Sequence, residues 1–107
     1  MLIYCAHAYG GNSLNVGRAS EIIRQLQIHD PDNCYVSPIH AFSFLNYGDL
    51  SYDDEMELCY DLMSMCDRML VLSEISEGVR REIELANRWG MEVSYHETAD
   101  RKNADTD

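Results

Sequence analysis

A chain of 107 residues with 46% hydrophobic and 25% charged residues has the size and composition of one globular domain with a single core. Its net charge of −11, from 19 acidic and 8 basic residues, would repel a polyanion and so argues against DNA or RNA as the partner. The apolar runs are short and the N-terminus has no basic flank, so we expect no membrane span, no signal peptide and a cytoplasmic location.

The first half of the chain alternates strand-like and helix-like patterns. The apolar run "LIYCAH" (2–7) predicts a buried strand, and a Gly-rich turn leads from it into a helix over about 14–27. A second short strand is predicted at 34–37, and Pro38 ends it. The loop that follows, 38–51, is long for so small a domain, and loops of that length are usually functional.

The second half repeats the alternation and completes the fold. It predicts a helix over about 52–66, a strand at 68–73, a helix that begins after Ser76 and a last strand near 91–95. The order βαβαβαβ predicts a small doubly wound, Rossmann- or flavodoxin-like α/β fold with a parallel sheet covered by helices on both faces. In that fold strand 1 lies beside strand 3, with strand 2 outside one and strand 4 outside the other.

We place the domain at residues 1–96. The remaining segment, 97–107, is polar and has no apolar period, which predicts a disordered tail. The cysteines show no C-x-x-C pair and stand in apolar surroundings, so we expect buried free thiols and predict neither a metal site nor a cofactor. These cysteines are Cys5, Cys34, Cys59 and Cys66.

One charge of the helix after Ser76 lies on its apolar face. At about 100° per residue, Val79, Ile83 and Ala86 form a stripe, and Glu82 falls inside the same arc. Burying an unpaired carboxylate costs several kcal/mol, so Glu82 is at the rim of the core, paired, or present for chemistry. The ligand crevice of a doubly wound sheet opens where strands 1 and 3 end, so we expect Glu82 to face that crevice.

The spacing Ser76-x-Gly78-Val79-x-x-Glu82, together with the opening "IYCAHAYGGN", resembles the nucleoside 2-deoxyribosyltransferase-like superfamily. That superfamily includes deoxynucleoside 5′-monophosphate N-glycosidases, and the resemblance spans roughly residues 2–93. It implies an enzyme that cleaves or transfers the N-glycosidic bond of a deoxynucleoside or its 5′-monophosphate. Glu82 would be the nucleophile and would form a covalent glutamyl-sugar intermediate.

The resemblance also implies a substrate-binding set around Glu82. Ser76 either caps its helix only or also contacts a 5′-phosphate together with the N–H of Gly78. The turn formed by Gly10, Gly11 and Asn12 would cradle the phosphate or the sugar, although its glycines are also what a tight turn requires.

Four further residues have two interpretations each. Tyr4 is either the ring beside the nucleophile or plain core, and Tyr9 either contacts substrate or covers the sheet edge. His40 either lines the base pocket or is a surface residue of the long loop. Glu55 lies on the inward arc of its helix and is the candidate for the second acid that the resemblance implies.

Two other classes of function stay open. The first is a non-catalytic nucleotide-binding module on the same fold, acting as a sensor or sequestering protein. The second is an interaction protein in which Glu82 pairs with an arginine such as Arg18. We also expect a homodimer or higher homo-oligomer, because the apolar residues of the long loop are poorly explained by exposure to solvent. They are Ile39, Phe42, Phe44 and Leu45.

Overall fold

A four-stranded parallel sheet carries helices on its faces in the computed structural model, which describes residues 1–99. The strand order is β2-β1-β3-β4, and all three pairings are parallel. The predicted doubly wound α/β fold and its strand order are therefore confirmed. In chain order the elements are β1 (Leu2–Ala6), α1 (Ser13–His29), β2 (Cys34–Val36), α2 (Pro38–Ala41), α3 (Tyr52–Ser64), β3 (Arg68–Val71), α4 (Glu77–Arg88) and β4 (Glu92–Tyr95).

The helices that flank the sheet begin at polar caps. The Asn12 side chain accepts a hydrogen bond from the Leu14 N–H at 2.9 Å and starts α1. Ser76 does the same for α4 by accepting from the Val79 N–H at 3.3 Å. Gly90, with φ of 74°, follows the end of α4 in the left-handed conformation that commonly terminates helices.

The core lies between the sheet and helices α3 and α4. Alternation along β1 sends Tyr4 and Ala6 to this side and Ile3 and Cys5 to the other, and all four are buried because β1 is a central strand. The buried cluster on the α3 and α4 side comprises Tyr4, Ala6, Met63, Met69, Val71, Val79 and Ala86.

Three local expectations differ from the structure. The segment 38–51 is not loop throughout, since Ser37 caps the short helix α2, with Pro38 in its first turn. The strand predicted to reach residue 73 ends at Val71, and Ser73 instead accepts a hydrogen bond from the Ala8 N–H. Cys34 is exposed rather than buried, because it begins the edge strand β2.

The predicted tail is only partly described. The Thr98 hydroxyl donates to the Leu72 carbonyl at 2.7 Å, and the Ala99 N–H donates to the His96 carbonyl at 2.8 Å. Residues 100–107 lie outside the described residues. Within 1–99, none of the helices is both long and apolar enough to cross a membrane.

Candidate active site

A cavity of about 650 Å³ opens at the carboxyl ends of β1 and β3. This is the position at which doubly wound sheets bind ligands, and the volume lies in the range of small-molecule pockets, ~300–1,000 Å³. Its walls come from the turn after β1, the start of α1, the segment 38–47, helix α3 and the first half of α4. The lining is mostly apolar, so the few polar groups in it determine which ligand fits.

Glu82 is a buried carboxyl in this wall. The Glu82 residue is 5% exposed and lines the cavity. The Tyr4 hydroxyl donates a hydrogen bond to Glu82 Oε2. The alternation of β1 directs the Tyr4 side chain toward α4, where Glu82 lies two turns into the helix. The alternative in which Glu82 pairs with an arginine such as Arg18 is not observed, because Arg18 lies exposed on α1 and the Tyr4 hydroxyl is the hydrogen-bond partner of Glu82.

Burial controls the ionisation of this pair. Removal from water raises the pKa of Glu82 to about 7, and the hydrogen bond from Tyr4 acts in the opposite direction. Burial also raises the pKa of Tyr4, and the nearby charge of Glu82 raises it further. Tyr4 therefore stays a neutral donor, while the Glu82 carboxyl changes its charge close to neutral pH.

Cys59 lies beside this pair on α3 and also lines the cavity. Burial, followed by the charge of Glu82, raises the pKa of the Cys59 thiol to about 12. Since the thiolate is the reactive form of cysteine, this thiol is a poor nucleophile at neutral pH. Glu82 is therefore better suited than Cys59 to attack a substrate.

The start of α4 forms another part of the wall. Ser76 and Gly78 both line the cavity, where the first N–H groups of a helix offer hydrogen bonds to an anion. A Cβ on Gly78 would lie 3.1 Å from the Tyr52 hydroxyl oxygen, so glycine lets this hydroxyl approach α4 closely. The missing side chain at Gly78 thus allows close contact between the starts of α3 and α4.

Arg81 connects the starts of α3 and α4 at the rim. Its guanidinium lies 5.0 Å from the centre of the Tyr52 ring and 3.3 Å from an Asp53 carboxylate oxygen. A second contact, at 3.4 Å, joins it to Glu77. Exposed ion pairs contribute little stability, so the consequence of these contacts is a defined position for Tyr52.

The turn after β1 closes the opposite wall. Tyr9 and Gly10 line the cavity, and Gly10 and Gly11 have φ values of 58° and 71°. A Cβ on Gly11 would lie 2.7 Å from the Tyr47 ring, so this glycine lets the ring pack on the turn. Tyr47 also meets Tyr9 edge to face at 6.2 Å, which joins the segment 38–51 to the turn.

The structure brings most of the predicted site residues together, but not all. Glu55 is half-buried on α3 and lines the cavity with Glu82. The cavity lining does not include His40, whose Nδ1 and Nε2 lie 2.8 Å from Ser37 Oγ and 2.5 Å from Ser20 Oγ. It also leaves out Gly11 and Asn12, which support the Tyr47 ring and cap α1 instead.

Sequence reasoning missed His7, Tyr47 and Tyr52 as lining residues. His7 directly follows a central strand, and residues at that position lie at the ligand crevice of a doubly wound sheet. This position could therefore have identified His7 from the sequence. Tyr52 begins α3 and lies three residues before Glu55 on the same helical face, so helical periodicity was a usable signal for it. Tyr47 reaches the cavity through the path of the long segment, which no periodicity in the sequence predicts. Within residues 1–99, no three His, Cys, Asp or Glu side chains come together as a possible metal site.

Residues 32–95 match the model of a family described as a domain of unknown function, DUF4406. The chain belongs to this family. The matched segment of the DUF4406 domain runs from just before β2 through β4 and includes Glu55, Ser76 and Glu82, whereas the turn after β1 lies before it. No curated protein and no solved structure matches the chain. The family description names no activity, so the resemblance to 2-deoxyribosyltransferase-like proteins stays a prediction.

Proposed function

We propose that this DUF4406 domain cleaves or transfers the N-glycosidic bond of a deoxynucleoside or deoxynucleoside 5′-monophosphate. The observation that supports the proposal is the buried Glu82 carboxyl, which receives a hydrogen bond from Tyr4 and lines a large cavity at the carboxyl ends of the central strands. A carboxyl group kept out of water at a ligand crevice has a strongly perturbed pKa, which is typical of functional groups.

The chemistry takes two steps. In the first, a Glu82 carboxylate oxygen bonds to C1′, the C1′–N bond breaks, and its electron pair leaves with the base, which takes a proton from Glu55. In the second, water bonds to C1′, the ester bond to Glu82 breaks, and the proton of the water returns to Glu55. If a second base attacks in place of water, the reaction is a transfer.

The start of α4 supports the phosphorylated form of the substrate. Ser76, Glu77 and Gly78, at the start of the helix, line the same cavity as Glu82. A phosphate needs no basic side chain there, because the helix N-terminus carries a partial positive charge. The net charge of −11 argues against a nucleic-acid polymer as the ligand.

The second candidate function is a nucleotide-binding module without turnover. The raised pKa of Glu82 favours it, because a carboxyl with a pKa of about 7 is protonated in a large share of molecules at neutral pH and is then no nucleophile. The two functions therefore predict different pH profiles. An enzyme with this nucleophile gains activity as pH rises through about 7, whereas a binding module shows no turnover at any pH.

A panel of deoxynucleosides and their 5′-monophosphates tests the proposal by release of free base. We expect base release by the wild-type protein, none by Glu82→Gln, and normal release by Glu84→Gln, a control on the exposed side of the same helix. A Glu82→Gln variant as active as the wild type would refute the nucleophile assignment. Binding of a panel member without turnover, measured by calorimetry, would favour the binding module.

We further propose that the active form is a homodimer that covers the cavity mouth. Ile39, Phe42 and Leu45 line the cavity, but Phe44, whose ring packs edge to face against Phe42, is 78% exposed. Tyr47 and Tyr52, which also line the cavity, are 67% and 46% exposed. A cluster of exposed aromatic side chains beside a ligand cavity is typical of a contact surface.

Sedimentation at micromolar concentration tests the homodimer. We expect about twice the chain mass of 12.3 kDa, and we expect Phe44→Ser to shift the protein toward the monomer. Ile28→Ser is the matched control, since Ile28 is 55% exposed near the far end of α1 and should leave the mass unchanged. A wild-type monomer with full activity would contradict this proposal.

A further inference from the structure

His7 is a nearly buried polar residue that the proposed chemistry does not use. It directly follows β1, lines the same cavity as Glu82, and is 8% exposed. Strand alternation places it on the face opposite Tyr4, toward α1 and α2. The lining on this side comes from Pro38 and Ile39 of α2 and from Asn15 and Val16 of α1. The Asn15 amide nitrogen donates to the Tyr9 carbonyl at 3.1 Å.

One ring nitrogen of His7 has a partner within the protein. Nδ1 lies 2.7 Å from the Ala8 carbonyl oxygen, and because a carbonyl only accepts, Nδ1 carries the proton and donates it. The neutral ring then has its lone pair on Nε2, which is a hydrogen-bond acceptor. Among residues 1–99, no side chain or backbone group hydrogen-bonds to Nε2.

The backbone around His7 is fixed on both sides. The Leu72 N–H donates to the Ala6 carbonyl at 2.9 Å, and the Ala8 N–H donates to Ser73 Oγ at 2.8 Å. The Ser73 hydroxyl in turn donates to the Glu74 carbonyl at 2.9 Å. The imidazole ring therefore has a defined position before any ligand arrives, and this lowers the entropic cost of a contact with a ligand.

We propose that His7 is a ligand-binding residue whose Nε2 accepts a hydrogen bond from an N–H or O–H group of the bound ligand. The inference rests on the proposed function, which makes that ligand a deoxynucleoside or its 5′-monophosphate. Val16, Pro38 and Ile39 offer no side-chain hydrogen bond in this part of the lining, so one fixed acceptor at His7 orients the ligand and selects for a donor at the matching position. The donor belongs either to the base or to the 3′-hydroxyl of the sugar.

Two amide variants separate this role from a structural one. The amide nitrogen of His7→Asn replaces Nδ1 and preserves the bond to the Ala8 carbonyl, whereas the amide oxygen of His7→Gln replaces the acceptor at Nε2. Calorimetry with the best-bound of the four deoxynucleoside 5′-monophosphates, in a Glu82→Gln background that prevents turnover, measures the effect. We expect His7→Asn to lose roughly tenfold in affinity, the scale of one hydrogen bond, and His7→Gln to retain most of it.

The opposite ranking would show that Nδ1 alone matters and would overturn the proposal. Equal affinities of both variants and the protein with His7 would overturn it as well, while leaving the proposed function intact. If the Glu82→Gln protein with His7 binds none of the deoxynucleosides and none of their 5′-monophosphates, both proposals fall. Thermal unfolding of the variants shows whether a lost affinity reflects lost folding.

Ligand analogues identify the source of the donor. A 2′,3′-dideoxy analogue lacks the 3′-hydroxyl, and a second analogue replaces the base N–H donor by C–H. The analogue that lacks the true donor cannot make the hydrogen bond to His7 Nε2. Its affinity should therefore be the same for the protein with His7 and for the His7→Asn variant. Full sensitivity to His7→Asn with both analogues would contradict a contact with either donor and overturn the proposal.

The ring itself supplies an independent signal. Long-range proton–nitrogen correlation spectra of labelled imidazole should show a protonated Nδ1 in the free protein and a shift of the Nε2 resonance when the monophosphate is added. A purely structural His7 would show no change at Nε2, and that result would overturn the proposal.

Discussion

Replacing Glu82 by Gln should stabilise the protein at alkaline pH while removing activity. The Glu82 residue is 5% exposed, and within residues 1–99 its carboxyl accepts a hydrogen bond from Tyr4 alone, so its charged form is poorly solvated. Glutamine has nearly the same shape, presents a carbonyl oxygen to the Tyr4 hydroxyl and carries no charge. The variant therefore keeps the packing and loses only the cost of burying a negative charge.

The raised pKa fixes the sign and size of this effect. Between 4.5, the ordinary value, and about 7, the folded wild-type protein holds a proton at Glu82 that the unfolded chain has released. Wild-type stability therefore falls as pH rises through this window and stays lower above it. At about 1.4 kcal/mol for each pH unit, the difference amounts to about 3 kcal/mol. The stability of the Glu82→Gln variant does not fall in this way, because glutamine does not ionise.

Urea unfolding of both proteins between about pH 4 and pH 8 measures the effect. The free energy of unfolding of Glu82→Gln minus that of the wild type should rise by about 3 kcal/mol across the range. Glu84→Gln on the exposed side of α4 should show no comparable rise. A pH-independent difference for Glu82→Gln would refute the reasoning, because it would mean that burial does not hold this carboxyl in its protonated form.

Three further predictions concern the surroundings of Glu82. Tyr4→Phe removes the hydrogen bond that lowers the pKa of Glu82, so the pH at which kcat/KM rises should move upward; an unchanged profile would contradict the role of Tyr4. Ser76→Ala should weaken binding of a 5′-monophosphate by about 1.5–3 kcal/mol and leave the unphosphorylated nucleoside nearly unchanged, whereas equal losses would make Ser76 a helix cap only. Gly11→Ala should lower thermal stability by ~1 kcal/mol or more, because its φ is positive and the Cβ meets the Tyr47 ring. The control Gly17→Ala, in open space within α1, should raise stability by about 1 kcal/mol, and a similar effect of both changes would refute the account of the turn.

The elements and their order could be predicted because each depends on residues close together in the chain. Alternating and helical periods, the caps Asn12 and Ser76, and right-handed crossovers restrict a chain of this pattern to very few sheet orders. The anomaly of Glu82 was also visible, because Val79, Glu82 and Ala86 lie on one helix whose geometry is known in advance. Local sequence patterns and the rules for parallel sheets were therefore enough to predict that Glu82 faces the crevice.

The contacts between side chains that are far apart in the sequence could not be predicted from local sequence patterns. Tyr4 and Glu82 are 78 positions apart, and their hydrogen bond depends on how α4 packs across β1. His40 lies outside the cavity because α2 turns it toward Ser20, while Tyr47 reaches the turn after β1 because Gly11 leaves room for its ring. The path of a long segment is chosen by the packing of many weak contacts, each worth little by itself, so only the tertiary structure decides which side chains meet at the cavity.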